Sequence, residues 1–209
     1  MYVPSNFTED RVPVLHEAIH GIKLGTLVTL GSEEMIASHV PMLVDPEPAP
    51  YGTLRGHIAR ANPQWRDVSG KVRALAIFLG PDAYITPSWY ATKRVNAKVV
   101  PTWNYAAIHA YGPVRFFDDA DALLALVTRL TETHEAARQQ PWAVSDAPAD
   151  FIRGMLRAIV GFELPIDRLE GKWKMSQNRP AEDRAGVVEG LRHDGEPAVA
   201  EIVVERNPN

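Results

Sequence analysis

Two short phrases between Tyr84 and Tyr111 concentrate side chains that can hold a flat, anionic molecule. The first is Pro87-Ser88-Trp89-Tyr90 and the second Pro101-Thr102-Trp103-Asn104-Tyr105. Two of the five tryptophans and four of the six tyrosines fall in this window. Proline fixes its own φ, so the side chains that follow are aimed rather than free. The hydroxyl of Ser88 or Thr102 can bind an anionic oxygen, and the rings offer flat faces for a planar ligand. Lys93, shortly after Tyr90, either adds a positive charge to this set or is a solvated surface lysine.

Three further constellations bear on chemistry. His16-Glu17-Ala18-Ile19-His20 spells H-E-x-x-H, which in zinc peptidases puts two imidazoles on one helical face beside a general base. Lys23 and Thr26 stand where the extended motif wants glycine and histidine, and Glu33 and Glu34 fall in a turn after the next strand. An amphipathic surface helix is therefore expected here, and no metal site. In Gly56-His57-Ile58-Ala59-Arg60-Ala61-Asn62, a histidine and an arginine on one strand can bracket a phosphate, or the arginine can make a strand-edge salt bridge. Lys172-Trp173-Lys174-Met175-Ser176-Gln177-Asn178-Arg179 is a dense row of donors, suited to phosphate or a ring edge; it is equally a polar turn that caps the next helix. His109 reads as a hydrogen-bonded sheet histidine and His134-Glu135 as an exposed helix face. No G-x-S-x-G, no glycine-rich phosphate loop and no catalytic residue can be named.

Composition narrows the classes. The chain has 209 residues, a formal net charge of −4 and no cysteine. Disulfides, thiolate metal sites and thiol nucleophiles are thereby excluded. A net acidic chain needs a local basic patch, or a dimer, to meet nucleic acid. The start of the sequence lacks a signal-peptide pattern, and no stretch nears the ~18 apolar residues of a membrane span. A cytoplasmic protein without membrane contact is expected.

The elements that must position these residues follow from periodicity. A helix is predicted over Asp10 to Ile22, and strands over Thr26 to Leu30, Met35 to Val44 and Thr53 to Arg60. The proline-rich stretch from Asp45 to Gly52 is a loop. Lys71 to Leu79 is an apolar run closed by Gly80-Pro81-Asp82, with Ala83 to Thr86 as a short partner strand. A long strand covers Val99 to Phe117, bent at Gly112-Pro113. Asp118-Asp119 caps a helix through about Arg138. A second helix runs from Ala147 to Val160, and Phe162 to Met175 returns as strand. From Pro180 to Val204 one or two helices are divided at Asp194-Gly195. Some six strands with added helices, without β-α-β alternation, predict an α+β chain, mainly antiparallel β, folded as one domain with a C-terminal helical segment about 180–205.

The phrases together are more specific than any one alone. Met1-Tyr2-Val3-Pro4 with Phe7, Gly56 to Gln64, Tyr84 to Tyr90, Val100 to Tyr105, Ile159 to Phe162 and Lys174 to Arg179 follow one another in order. This series closely resembles the PaiB-like family of FMN-binding negative transcriptional regulators, over essentially the whole chain. Thr86 and Met175 are mild departures, standing where serine and leucine are expected. The resemblance implies a split β-barrel of the pyridoxamine-phosphate-oxidase type, an obligate homodimer, and FMN at the subunit interface. It carries His57, Arg60, Ser88, Trp89, Lys93, Thr102, Trp103 and Asn104 to the cofactor, together with Ser176, Gln177, Asn178 and Arg179. It also implies a transcriptional repressor, with DNA as a partner on that ground alone, since no helix-turn-helix signature is present. The alternatives are a flavin-dependent oxidoreductase acting on a small substrate or haem, and a plain FMN or pyridine-phosphate binding module.

Overall fold

A computed structural model describes residues 1–68 and 73–208. Nine strands and six α-helices follow one another along these residues. They are β1 (Thr8–Glu9), α1 (Val12–Ile22), β2 (Leu24–Leu30), β3 (Met35–Asp45) and β4 (Thr53–Ala59). Then come β5 (Ala74–Ile85), α2 (Thr92–Asn96), β6 (Thr102–Gly112), β7 (Arg115–Phe117), α3 (Ala120–Glu135) and α4 (Ala149–Leu156). Strands β8 (Ile159–Pro165) and β9 (Arg168–Lys174) and helices α5 (Ala181–His193) and α6 (Pro197–Glu205) complete the order. The chain divides into two compact units, interleaved in sequence. The first holds Met1–Arg11, Leu79–Ile108 and Glu170–Asn209; the second holds Val12–Phe78 and His109–Leu169.

In the second unit the ladders β2·β3, β3·β4, β4·β8 and β7·β8 are all antiparallel. Side chains alternate between faces of a strand, and β2 accordingly buries Gly25, Leu27 and Thr29 in alternation. Close approach across the ladders depends on glycine set against phenylalanine. Gly56 pairs with Phe162 and Gly161 with Phe117. A Cβ on Gly56 would lie 2.7 Å from the Phe162 ring and 2.8 Å from the Pro41 carbonyl oxygen; on Gly161 it would lie 2.4 Å from the Phe117 ring. Each ring thus covers the gap its glycine leaves in the sheet. Gln64 is fully buried, and its amide nitrogen reaches the Leu27 carbonyl at 3.1 Å, the Thr29 hydroxyl at 3.1 Å and the Ile36 carbonyl at 3.2 Å. It ties β2 to β3 from below.

Several expectations are corrected. Gly80-Pro81-Asp82 makes no turn, and β5 runs unbroken through it; proline's fixed φ is compatible with an extended strand, and Pro81 is exposed. The first two residues of that predicted run, Lys71 and Val72, lie outside the described residues. The second predicted helix stops at Leu156, because Ile159 and Val160 pair instead with Ala59 and Ile58 of β4. The strand expected over Phe162 to Met175 is two strands, parted after Pro165, where the amides of Ile166 and Asp167 donate to Gly52 and Tyr111. Helix α3 has the expected cap, Asp119 accepting from the Ala122 amide at 2.9 Å. In α1, Leu15 and Ile19 are buried, while His16 bonds the Tyr51 carbonyl at 2.9 Å and His20 faces solvent. Among the described residues, no helix is long and apolar enough to cross a membrane.

The first unit is clasped by a buried carboxylate. Glu9, 3% exposed, accepts from Arg11 at 2.5 Å and from Arg206, whose guanidinium lies over the Trp173 ring. Burial alone would raise the Glu9 pKa, but the hydrogen bonds from Arg11 and Arg206 outweigh it and hold it at about 2. A folded pKa below the unfolded value stabilises the fold at pH above the unfolded pKa, and the gain is lost as pH falls through the folded one. The shift corresponds to on the order of 3 kcal/mol at neutral pH. Glu9→Gln should therefore flatten the stability profile between about pH 5 and pH 2, measured by urea denaturation across that range. Gly56→Ala should cost about 1–3 kcal/mol, because the Pro41 backbone cannot give way; a Tm equal to wild type would refute the packing argument.

Candidate functional site

The candidate site lies in the first unit and is built outward from β9. Lys172 and Lys174 are two residues apart on that strand and so share a face. After Met175 the chain turns sharply at Ser176, whose φ of 62° lies in the left-handed region. That conformation costs a non-glycine residue roughly 1–2 kcal/mol. Two side chains offset it. Gln177 closes the turn on itself, accepting from the Met175 amide at 2.6 Å and donating to the Trp173 carbonyl at 2.5 Å. Asn104 of β6, buried, donates to the buried Ser176 hydroxyl at 3.0 Å.

Around this turn Thr102, Asn104, Lys174, Ser176, Asn178 and Arg179 line a hollow of about 40 Å³. The Lys174 ammonium donates to the Thr102 hydroxyl and, at 2.6 Å, to the Trp103 carbonyl. Enclosed ligand pockets span roughly 300–1,000 Å³, so this hollow admits a headgroup, not a tricyclic ring. Its electrostatics favour an anion. Burial pulls the Lys174 pKa down, and the nearby charges of Lys172 and Arg179 pull it further. Among the described residues none of these three cations has a carboxylate within salt-bridge distance. Two cations, Lys174 and Arg179, and two hydroxyls lining a small hollow, with the charge of Lys172 nearby, fit a phosphate monoester, which brings about two negative charges and three acceptor oxygens. A larger groove of about 590 Å³ between α5 and α6 has Val188 and Val203 on its lining and sets Glu189 beside Arg192.

Helix α5 positions the rest. Asp183 is fully buried in its first turn and accepts from the Thr92 amide at 2.9 Å and the Thr92 hydroxyl at 2.8 Å. A Cβ on Gly186 would fall 2.0 Å from the Trp89 carbonyl oxygen, and one on Gly190 would fall 2.2 Å from the Trp89 ring. Trp89 is therefore packed on α5 and is half-buried. Ser88 is exposed and accepts from Lys93 at 3.1 Å. Trp103 is 53% exposed and Tyr84 49%, with their rings edge to face at 5.9 Å. Of the two tryptophans in the phrases, Trp103 is the one with an exposed ring.

The sequence-derived set thus separates. Thr102, Asn104, Ser176, Asn178 and Arg179 line the hollow, Trp103 flanks it on β6, and Gln177 braces the turn. His57 and Arg60 belong to the second unit. Arg60 donates to the carbonyls of Arg157 (2.8 Å) and Ile159 (3.2 Å) and to Asp118 (3.2 Å), with its guanidinium over Trp65. The His57 Nδ1 is buried and has no hydrogen-bond partner among the described residues, and burial lowers its pKa. A neutral ring cannot form a charge pair with phosphate, though it can make one hydrogen bond. Lys172 and Lys174 were not among the expected cofactor residues. Their i, i+2 spacing on a strand was the signal.

The chain is similar to known proteins over most of its length. Residues 1–168 match the family model described as "Putative FMN-binding domain". The chain is 34% identical over 244 residues to an uncharacterized protein of Emericella nidulans, covering 99% of this chain and 97% of the relative. It is 32% identical over 197 residues to the Bacillus subtilis protein named protease synthase and sporulation protein PAI 2, covering 94% and 92%. The solved FAD and haem binding protein from Mycobacterium smegmatis superimposes with a TM-score of 0.60 at 16% identity, over 85% of this chain and 78% of that one. That likeness bears on the fold, which is of the split-barrel flavoprotein kind. If the buried pair holds the turn, Asn104→Ala should leave Ser176 unpaired and cost about 1–3 kcal/mol in chemical denaturation. An unchanged midpoint would show that Gln177 alone suffices.

Proposed function

Because the chain belongs to the PaiB-like FMN-binding domain family and its cofactor is FMN, we propose that the hollow beside Ser176 receives the FMN phosphate. We further propose that the protein works as a homodimeric, FMN-dependent negative regulator of transcription. The observation that carries the phosphate assignment is the pair of cations without carboxylate partners among the described residues, Lys174 and Arg179, beside two hydroxyls, with Lys172 adding its charge from nearby. Lys174 and Arg179 neutralise the dianion, Thr102 and Ser176 donate to its oxygens, and Trp103 offers its exposed face to the ring system. Bound FMN supplies one- and two-electron redox chemistry, and the chain's part is to bind and orient it. A hollow this small leaves most of the cofactor outside it. A second copy of the chain covering Tyr84 and Trp103 would enclose the remainder.

The regulatory role is supported by the likeness to the Bacillus subtilis protein named for protease synthase and sporulation. The opposing reading is a flavin-dependent oxidoreductase. A gel shift with the purified protein on its own upstream DNA, with and without FMN, separates the two. A flavin-dependent shift is expected; no shift in either state, with NAD(P)H oxidised by the bound flavin, would overturn the regulator in favour of the enzyme.

The phosphate assignment has its own measure. Lys174→Ala and Arg179→Ala should each weaken FMN at least tenfold, about 1.4 kcal/mol, and leave riboflavin binding within about threefold. Equal weakening of both flavins in a fluorescence titration would put the phosphate elsewhere.

A further inference from the structure

We propose that Tyr90 is the positioning residue that holds Arg179 over the hollow, acting through the face of its ring and not through its hydroxyl. The inference rests on the reading above that the FMN phosphate occupies this hollow. Tyr90 is 1% exposed, the largest fully buried side chain of the fold. The Arg179 guanidinium carbon sits 4.5 Å from the centre of its ring. Among the described residues, Arg179 has no carboxylate partner. The negative face of the ring is then what orients the guanidinium, and stacking leaves the in-plane N–H donors free for a ligand. A carboxylate in that place would orient Arg179 equally well but would cancel the charge the ligand needs.

The platform and the arginine are registered against the same helix. Asp183 of α5 holds Thr92, two residues beyond Tyr90, and Gly186 and Gly190 admit the backbone and ring of Trp89 just before it. Three residues after Pro87, the Tyr90 amide closes a 3-10 turn on the Pro87 carbonyl at 3.1 Å. From the first turn of α5, next to Asp183, Arg184 donates to the Arg179 carbonyl at 3.0 Å. The Tyr90 hydroxyl is buried and makes no hydrogen bond of good geometry among the described residues. Burial pushes the phenol above its usual range, and the nearby Arg179 side chain, by its charge and by a weak hydrogen bond to the hydroxyl, pulls it partly back.

The experiment compares the FMN-to-riboflavin affinity ratio, read by fluorescence titration, in full-length variants that keep the shape of the ring. Tyr90→Phe should leave the ratio within about twofold of wild type. Replacing that phenylalanine by di- and then trifluorophenylalanine weakens the ring face at nearly constant volume. The ratio should fall stepwise, by about fivefold at the third fluorine, with riboflavin affinity unchanged. A flat series would overturn the proposal, as would a loss of the ratio already in Tyr90→Phe, which would assign the role to the hydroxyl. Arg179→Ala serves as the reference. If it lowers the ratio while the fluorinated series stays flat, only the role of Tyr90 fails; if it leaves the ratio intact, the phosphate reading fails with it.

Discussion

Asp183 is the anchor on which the geometry of the first unit depends. A fully buried carboxylate is tolerable only when its oxygens are satisfied, and Thr92 supplies both an amide and a hydroxyl. Its place in the first turn of α5 adds the favourable end of the helix dipole. Two segments far apart in sequence, residues 87–92 and 176–179, are fixed against one helix. Remove that anchor and the tyrosine platform, the left-handed turn and the cationic hollow lose their common reference.

The site works against its own electrostatics. Lys172, Lys174 and Arg179 repel one another, and burial raises the free energy of the charged Lys174. The fold tolerates this because the cations are held by neutral partners: aromatic rings under Lys172 and Arg179, a hydroxyl and a carbonyl under Lys174. Such partners orient a cation without neutralising it. Binding of an anion then relieves repulsion already built into the protein, in addition to making new hydrogen bonds. Glu9 and Arg206 show the opposite arrangement in the same unit, where charge is fully paired and serves stability alone.

Much of the fold was legible because it rests on local periodicity. The apolar stripe of α1, the Asp119 cap of α3 and the break at Gly195, whose φ is 84°, are read directly from neighbouring residues. The misread elements are those decided by distant partners. Ile159 and Val160 continue a helical pattern but lie opposite β4, and Pro81 punctuates the sequence without turning the chain. At the site, residue type singled out the Ser176 to Arg179 turn together with Thr102 and Asn104, and the fold brings these residues around one hollow. The packing of Trp89 was not legible, since the two glycines that admit it stand on a helix roughly a hundred residues away. Nor was the commitment of Arg60 to carbonyls at the end of α4. A side chain's chemistry can be read from its type, but whether that chemistry is already engaged depends on the fold.

The glycine–phenylalanine pairs of the second unit bind distant positions into single units of inheritance. Volume cannot be added at Gly161 unless it is removed at Phe117, and at Gly56 the change needs room at Phe162 and a shift of the Pro41 backbone as well. Neither member can drift alone without passing through a clash or a hole. Where the family varies at these sites, the two residues of a pair should change together, leaving a record of sheet register in sequences that otherwise share little.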